Sequence, residues 1–306
     1  DIDKNIYHLG KPIVMNYIMY PLIGMIDTLW MNKFYSTNEI TGSDVGDQIF
    51  FIIYLLVSFL PSILPSKITE LQSNNKDKEL KELISISFIL TMVLGCFSTL
   101  ILFTFCNSLL QIFITEESII YENASNYLKY KSISMIPSLI NSLIFSVLRG
   151  LQDIDYAIKI NFKSQILNIL INPLFIKYYG LKGYAFSGFI TDIYCTINYC
   201  NIIYSKNIYT YEINNFFKKS FEMVKNGMSI TIKNSLNNIV SIYMNKKILD
   251  IDKTGKLLSV NIFLSRFINI CFIPFYGLHS VSNILIPQTK NIENNKKIEE
   301  RIILLT

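Results

Sequence analysis

Four polar residues stand inside apolar stretches and could do chemistry there. Asp27 lies in PLIGMIDTLW, three residues before Trp30, and Asp192 lies in AFSGFITDIYCTINYC beside Thr191. Placing an ionisable group at the centre of a bilayer costs about 3 kcal/mol, so such a group faces a cavity or a partner. A carboxylate kept from water can take up and release a proton, which is what gradient coupling needs. Two readings stay open for each acid. Asp27 is a proton or cation carrier, or a helix-end aspartate paired with a lysine. Asp192 is a coupling acid, or a hydrogen-bonding group inside a bundle. Asn168 and Asn172 are one helical turn apart and face the same direction. With Asp27 they could hold a cation or relay a proton; as carboxamides they could equally join helices.

A second group suits recognition rather than coupling. Phe50, Phe51 and Tyr54 could stack on a planar cation, or pack against core and lipid. Arg266 faces a central cavity or pairs with an acid. Lys163 and Lys233, inside weakly apolar stretches, snorkel or touch substrate. Pro61, Pro65 and Pro137 free backbone carbonyls and supply hinge points.

Other chemistries have no residues to carry them. There is no G-x-x-x-x-G-K-[ST] run for a nucleotide engine. His8 and His279 belong to no motif, and no Ser/His/Asp arrangement is available. With two histidines and no Cys-x-x-Cys pair, a zinc site is not expected. The five cysteines, all in apolar stretches, read as small buried hydrophobes. No enzyme is expected, and no cofactor beyond a coupling H+ or Na+.

The elements that would position these residues follow from composition. The 306-residue chain is 51% hydrophobic and only 17% charged, with mean hydropathy +0.35. A soluble domain carries about a quarter charged residues. Apolar stretches fall at 13–30, 49–64, 83–105, 133–148, 158–176, 184–204, 221–243 and 258–286, each near the length that crosses a bilayer. Those at 49–64 and 83–105 hold no charge at all; those at 158–176 and 221–243 carry Lys159, Lys163, Lys225 and Lys233. The expected fold is an all-α polytopic membrane bundle whose short connections make neighbouring helices antiparallel.

Loop charge sets the orientation. Lys67, Lys76, Lys78 and Lys81 follow the second span; Lys206, Lys218 and Lys219 follow the sixth; Lys290, Lys296, Lys297 and Arg301 follow the eighth. Glu116, Glu117 and Glu122 follow the third. The N terminus is therefore expected in the cytoplasm, although Lys246, Lys247, Lys253 and Lys256 vote the other way. The +5 net charge is accounted for by these loops and requires no nucleic-acid partner. A sequon, Asn123-Ala124-Ser125, falls on the expected outer side.

An internal repeat supports two lobes. Met31-Asn32-Lys33, Thr41-Gly42 and Pro61 recur in order as Met244-Asn245-Lys246, Thr254-Gly255 and Pro274. Asn74-Asn75-Lys76 recurs, after a short insertion, as Asn294-Asn295-Lys296. The period spans six helices, an even number, which makes the repeat parallel. The expected division is a first lobe at 1–205, a linker at 206–220 and the start of a second lobe at 221–306, cut short because the chain stops inside an apolar pattern.

The segments YLKYKSISMIP, SVLRGLQDIDYA, LNILINPLFI and GLKGYAFSGFITD, with Ile26-Asp27-Thr28 ahead of them, resemble the multidrug and toxic compound extrusion (MATE) transporters, particularly the DinF-like branch. The matching elements are Tyr127-Leu128, Pro137, Arg149-Gly150, Gln152-Asp153, Asn168, Pro173, Gly180 and Gly183. The resemblance implies two six-helix lobes and ion-driven export of organic, often cationic compounds by a monomer. It also implies a cation site in the first lobe. Asp27 and Asn168 match that site; Asn172 stands where the family has a second acid, Gly188 where it has a threonine, and Ala157 where a proline follows Arg-Gly-x-x-Asp. A flippase of the same superfamily, moving a lipid-linked sugar, is the alternative. It usually needs a strongly cationic cavity, and this chain has three arginines, Arg149, Arg266 and Arg301. A non-transporting membrane protein is the third reading.

Overall fold

The computed structural model describes residues 2–112, 114, 119–252, 254, 256–288 and 292–305. Glu116, Glu117, Lys253, Gly255 and Lys290 lie outside the described residues, as do the side chains of Lys233, Asn294 and Asn295. Among the described residues there is helix and no strand. The helices are α1 (Ile2–Phe34), α2 (Thr37–Val57), α3 (Leu60–Ser73), α4 (Asp77–Thr104), α5 (Cys106–Gln111) and α6 (Ile119–Lys131). They continue as α7 (Met135–Gly150), α8 (Ile154–Ser205), α9 (Phe216–Ile251), α10 (Lys256–Leu285) and α11 (Ile292–Leu305).

Five segments are long and apolar enough to cross a membrane: Asp3–Phe34, Thr37–Ser73, Asp77–Thr104, Ile120–Gly150 and Lys256–Pro287. The all-α membrane bundle is thus the observed architecture. α8 and α9 are not among the five. They correspond to the stretches that carry lysines and asparagines, and in α8 Asn161, Asn168 and Asn172 point inward.

The second span starts earlier than its uncharged run. The Glu39 carboxylate accepts hydrogen bonds from the backbone N–H and hydroxyl of Ser36, at 2.9 and 2.8 Å. This caps α2 at Thr37 and pulls Asp44, Asp47 and Gln48, expected outside the span, into the helix. Gly42 and Gly46, one turn apart, let α2 lie against α6. A methyl group built on them would come within 2.7 Å of Asn123 and of the Tyr127 ring. The sequon is packed into this seam, with Ala124 and Ser125 buried, so it is no exposed outer loop.

α8 is two antiparallel helices joined at one residue. Gly180 takes φ +70°, ψ −151°, a conformation side chains avoid, and reverses the chain there. Three residues later Gly183 passes the Phe175 carbonyl so closely that any Cβ would collide with it. From that hairpin outward, the halves 154–179 and 181–205 pair face to face.

Candidate functional site

The inner face of the first half of α8 carries Asn161, Ser164, Asn168 and Asn172, all buried. Each finds its partner on the second half. The Ser187 hydroxyl donates to the Asn172 carboxamide oxygen at 2.7 Å. The Asn168 amide donates to the Thr191 hydroxyl at 3.4 Å, and the Ser164 hydroxyl to the Thr191 carbonyl at 3.0 Å. The Tyr199 hydroxyl donates to the Asn161 carboxamide oxygen at 2.6 Å. The result is a ladder of neutral polar groups.

α1 docks on this ladder at two rungs. Asn161 donates to the Asn16 carboxamide oxygen at 2.6 Å. Asn172 donates to the Asp27 carboxylate at 2.5 Å. Asp27 is buried, and among the described residues no cation touches it directly. Lys131 and Arg266 lie within electrostatic reach, as does the carboxylate of Asp47. One turn before Asn172, the carboxamide oxygen of Asn168 is buried without a hydrogen-bond partner among the described residues. Asp27, Asn168, Asn172, Ser187 and Thr191 bring together one carboxylate and several amide and hydroxyl oxygens, hard donors of the kind suited to a proton or a hard cation.

The hydroxyl facing Asn172 comes from Ser187, one residue before the position expected from the resemblance. Gly188 instead faces away: a Cβ built there would meet the Lys131 ammonium at 3.3 Å. Asp192 is not part of the ladder. Its carboxylate accepts the Ser138 hydroxyl at 2.7 Å, and its carbonyl accepts the Asn141 amide at 3.0 Å, joining α8 to α7. The same lysine, Lys131, is the cation within its reach.

Arg266 belongs to a second cluster. From α10 its guanidinium reaches the buried Asp44 carboxylate at 2.9 Å, the Thr28 hydroxyl at 2.5 Å and the Gly24 carbonyl at 3.1 Å. It thereby ties α10 to α1 and α2. Nearby, Asn245 of α9 donates to Gln48 at 2.7 Å and accepts from Asn261 at 2.9 Å. The Tyr127 hydroxyl donates to Asp47 at 2.7 Å, and its ring stacks on Tyr184 at 5.5 Å. At the other end of the bundle Arg149, buried, donates to the Tyr17 hydroxyl, the Ser280 hydroxyl and the Pro61 carbonyl at 2.9, 2.7 and 3.0 Å.

Phe50 and Tyr54 do not present one open platform. Phe50 is buried in the core between α2, α4 and α6, and the Lys131 ammonium lies 5.5 Å from its ring centre. Tyr54 is partly buried and stacks with Phe51 at 6.2 Å. Asp44, Asp47, Lys131 and Ser187 were not singled out from the sequence. The Ser36-x-x-Glu39 cap and the Gly42-x-x-x-Gly46 pair were the signals that placed the first two in a packed helix. Lys131 stands at the end of YLKYK, in the last turn of α6.

The sequence profile of the MatE family matches residues 12–174. The structure is similar to an outward-facing multidrug resistance MATE family transporter of the MOP superfamily, with TM-score 0.82 and 17% identity over 100% of this chain and 69% of that one. It is similar to a MATE structure in the bent conformation, TM-score 0.81 and 16% identity, over 100% and 70%. A MOP superfamily transporter from Pyrococcus furiosus, described as having a binding pocket of reverse polarity, matches with TM-score 0.81 and 16% identity over 100% and 69%. At these identities the likeness is one of fold. No curated protein sequence matches the chain.

Proposed function

Because the chain belongs to the MatE family of membrane transporters, we propose that it is an ion-coupled secondary exporter of small organic cations, of the DinF-like kind, with Asp27 as the coupling group. The observation that carries this reading is the buried Asp27 carboxylate, hydrogen-bonded by a neutral carboxamide and paired with no cation among the described residues. Protonating it, or binding Na+ with help from the Asn168, Asn172, Ser187 and Thr191 oxygens, changes the charge at the α1–α8 contact by one. A charge change there alters how firmly α1 sits on the ladder, and that is the differential interaction a transport cycle requires.

The surroundings favour a cationic cargo. Asp27, Asp44, Asp47 and Asp192 outnumber Lys131 and Arg266 around the inner faces of α1, α2 and α8, and a low-dielectric setting focuses that surplus. Phe50, Tyr54 and Arg266 then border the route of the cargo. In this reading residues 1–205 form the first lobe, 206–220 the linker and 221–306 the start of the second. The protein acts as a monomer with its N terminus in the cytoplasm.

The test is efflux of a fluorescent organic cation from proteoliposomes under imposed proton or sodium gradients, for wild type, Asp27→Asn and Asp192→Asn. Flux driven by one gradient and lost in Asp27→Asn supports the proposal. Loss only in Asp192→Asn moves the coupling group to the α7–α8 contact. No gradient-driven flux in wild type sinks the exporter reading.

A further inference from the structure

The outer side of the α8 hairpin, opposite the ladder, carries a cationic groove. Lys159 and Lys163 stand one turn apart on the first half and face Asn198, Asn201 and Ser205 of the second across a space of about 440 Å³, with Tyr156 at its end. Of the two acids that open this helix, Asp153 is paired with Lys206 and Asp155 lies exposed one turn before Lys159. Neither Lys159 nor Lys163 has an ion-pair partner among the described residues; Lys159 lies only over the Tyr156 ring, 5.9 Å from its centre. Two bare ammonium groups at this spacing repel each other. An anion between them would turn that repulsion into attraction, and the groove offers amide and hydroxyl donors to hold its oxygens.

A second observation says what the anion is attached to. Ile166, Leu170 and Leu174 continue up the same outer side and are all exposed, with Leu170 at 64% and Leu174 at 57%. A cationic head-sized groove with a hydrocarbon stripe leading away toward the bundle centre matches an amphiphile standing upright. Free phosphate would use the groove and leave the stripe bare. We propose that this groove binds the phosphate headgroup of an anionic phospholipid, in the leaflet at the N-terminal end of the bundle, with its acyl chains along Ile166, Leu170 and Leu174. Basic pockets between membrane helices recognise lipid headgroups in this way. The proposal does not depend on the transported substrate or the coupling ion.

The experiment is native mass spectrometry of the whole protein released from mixed phosphatidylcholine–phosphatidylglycerol nanodiscs, with inorganic phosphate added in a second arm. Wild type is expected to retain phosphatidylglycerol over phosphatidylcholine. The double variant Lys159→Gln/Lys163→Gln is expected to lose about thirtyfold in that preference, at about 1 kcal/mol per lysine. Lys159→Arg/Lys163→Arg, which keeps the charge and guards against misfolding, is expected to keep most of it. Equal retention of both lipids by wild type overturns the proposal, as does an unchanged preference in the glutamine variant. Release of the lipid by millimolar phosphate makes the groove a soluble-anion site and overturns it too.

Discussion

Two carboxylates of the same helical core are held in opposite ways. Asp27 is hydrogen-bonded by the amide of Asn172, and Lys131, Arg266 and Asp47 act on it only from a distance. Asp44, on the next helix, is met by the guanidinium of Arg266, which also grips Thr28 and Gly24. A carboxylate paired with an arginine has its charge fixed, since losing it would strand a buried cation. One hydrogen-bonded by a neutral amide can be neutralised without stranding a paired cation. The contrast separates a group that can change charge during a cycle from one that clamps helices together throughout it. Both lie on α1–α2, so their difference comes from what faces them rather than from the helices that carry them.

The largest expected effect distinguishes the two directly. Asp27→Asn should abolish gradient-driven efflux while shifting stability by no more than about 1 kcal/mol, because an amide can still hydrogen-bond to Asn172. Flux and thermal denaturation, measured on the same preparation, check both halves of that statement. Retained coupling in Asp27→Asn would break the comparison. Next comes Arg266→Ala, which leaves Asp44 buried and unpaired and should cost about 3 kcal/mol of stability. Asp44→Asn combined with Arg266→Gln should restore most of it, with coupling intact. If that double variant is stable yet uncoupled, the clamp is also a coupling element.

A smaller effect tests the ladder. Ser187→Ala removes the donor that orients the Asn172 carboxamide and should cost about 1 kcal/mol. It should also weaken the dependence of efflux on the driving ion without removing it. The smallest effect serves as a control outside both sites. Asp252 caps α10, accepting from the Thr254 hydroxyl at 2.6 Å and from the Leu257 N–H at 2.9 Å. These bonds, the Thr254 hydroxyl foremost, hold its carboxyl below the usual carboxylate range. A lowered value in the folded state means its stabilising contribution is complete at neutral pH and disappears as pH falls through that value. Asp252→Ala should therefore lower the melting temperature slightly at pH 7 and not at all in strong acid, with coupling unchanged.

The sequence shows one of the two carboxylate sites far more clearly than the other. Asp27, Asn168 and Asn172 stand out because each is a polar residue in an apolar run, and two of them are spaced by one turn. The hairpin that pairs them is visible in Gly180 and Gly183. The Arg266 clamp was half legible: an arginine in an apolar span must have a partner, but Asp44 lies in a stretch polar enough to pass for a loop. Only the capping residues Ser36 and Glu39 say otherwise. Ser187 was displaced by one position because the family pattern was carried over by spacing, and a single-residue shift on a helix turns a side chain by about 100°. Lys131 was overlooked because a lysine beside a span ordinarily marks a membrane boundary, whereas here it reaches back over Phe50.

The one-residue reversal at Gly180 bears on how the protein is made. The ladder's internal bonds join residues only 15 to 38 positions apart, from Ser187–Asn172 to Tyr199–Asn161, whereas Asp27 meets Asn172 across 145. Each half of α8, alone in hydrocarbon, would expose a row of unsatisfied carboxamides or hydroxyls, and neither is among the strongly apolar spans. Together they satisfy each other before any other helix arrives. The two halves should thus leave the insertion machinery as a single unit, so that a nascent chain ending near Tyr179 integrates poorly and one extended to Ser205 integrates well. A polar ladder carried by one of the less apolar helices can in this way be built by the same machinery that selects for apolarity.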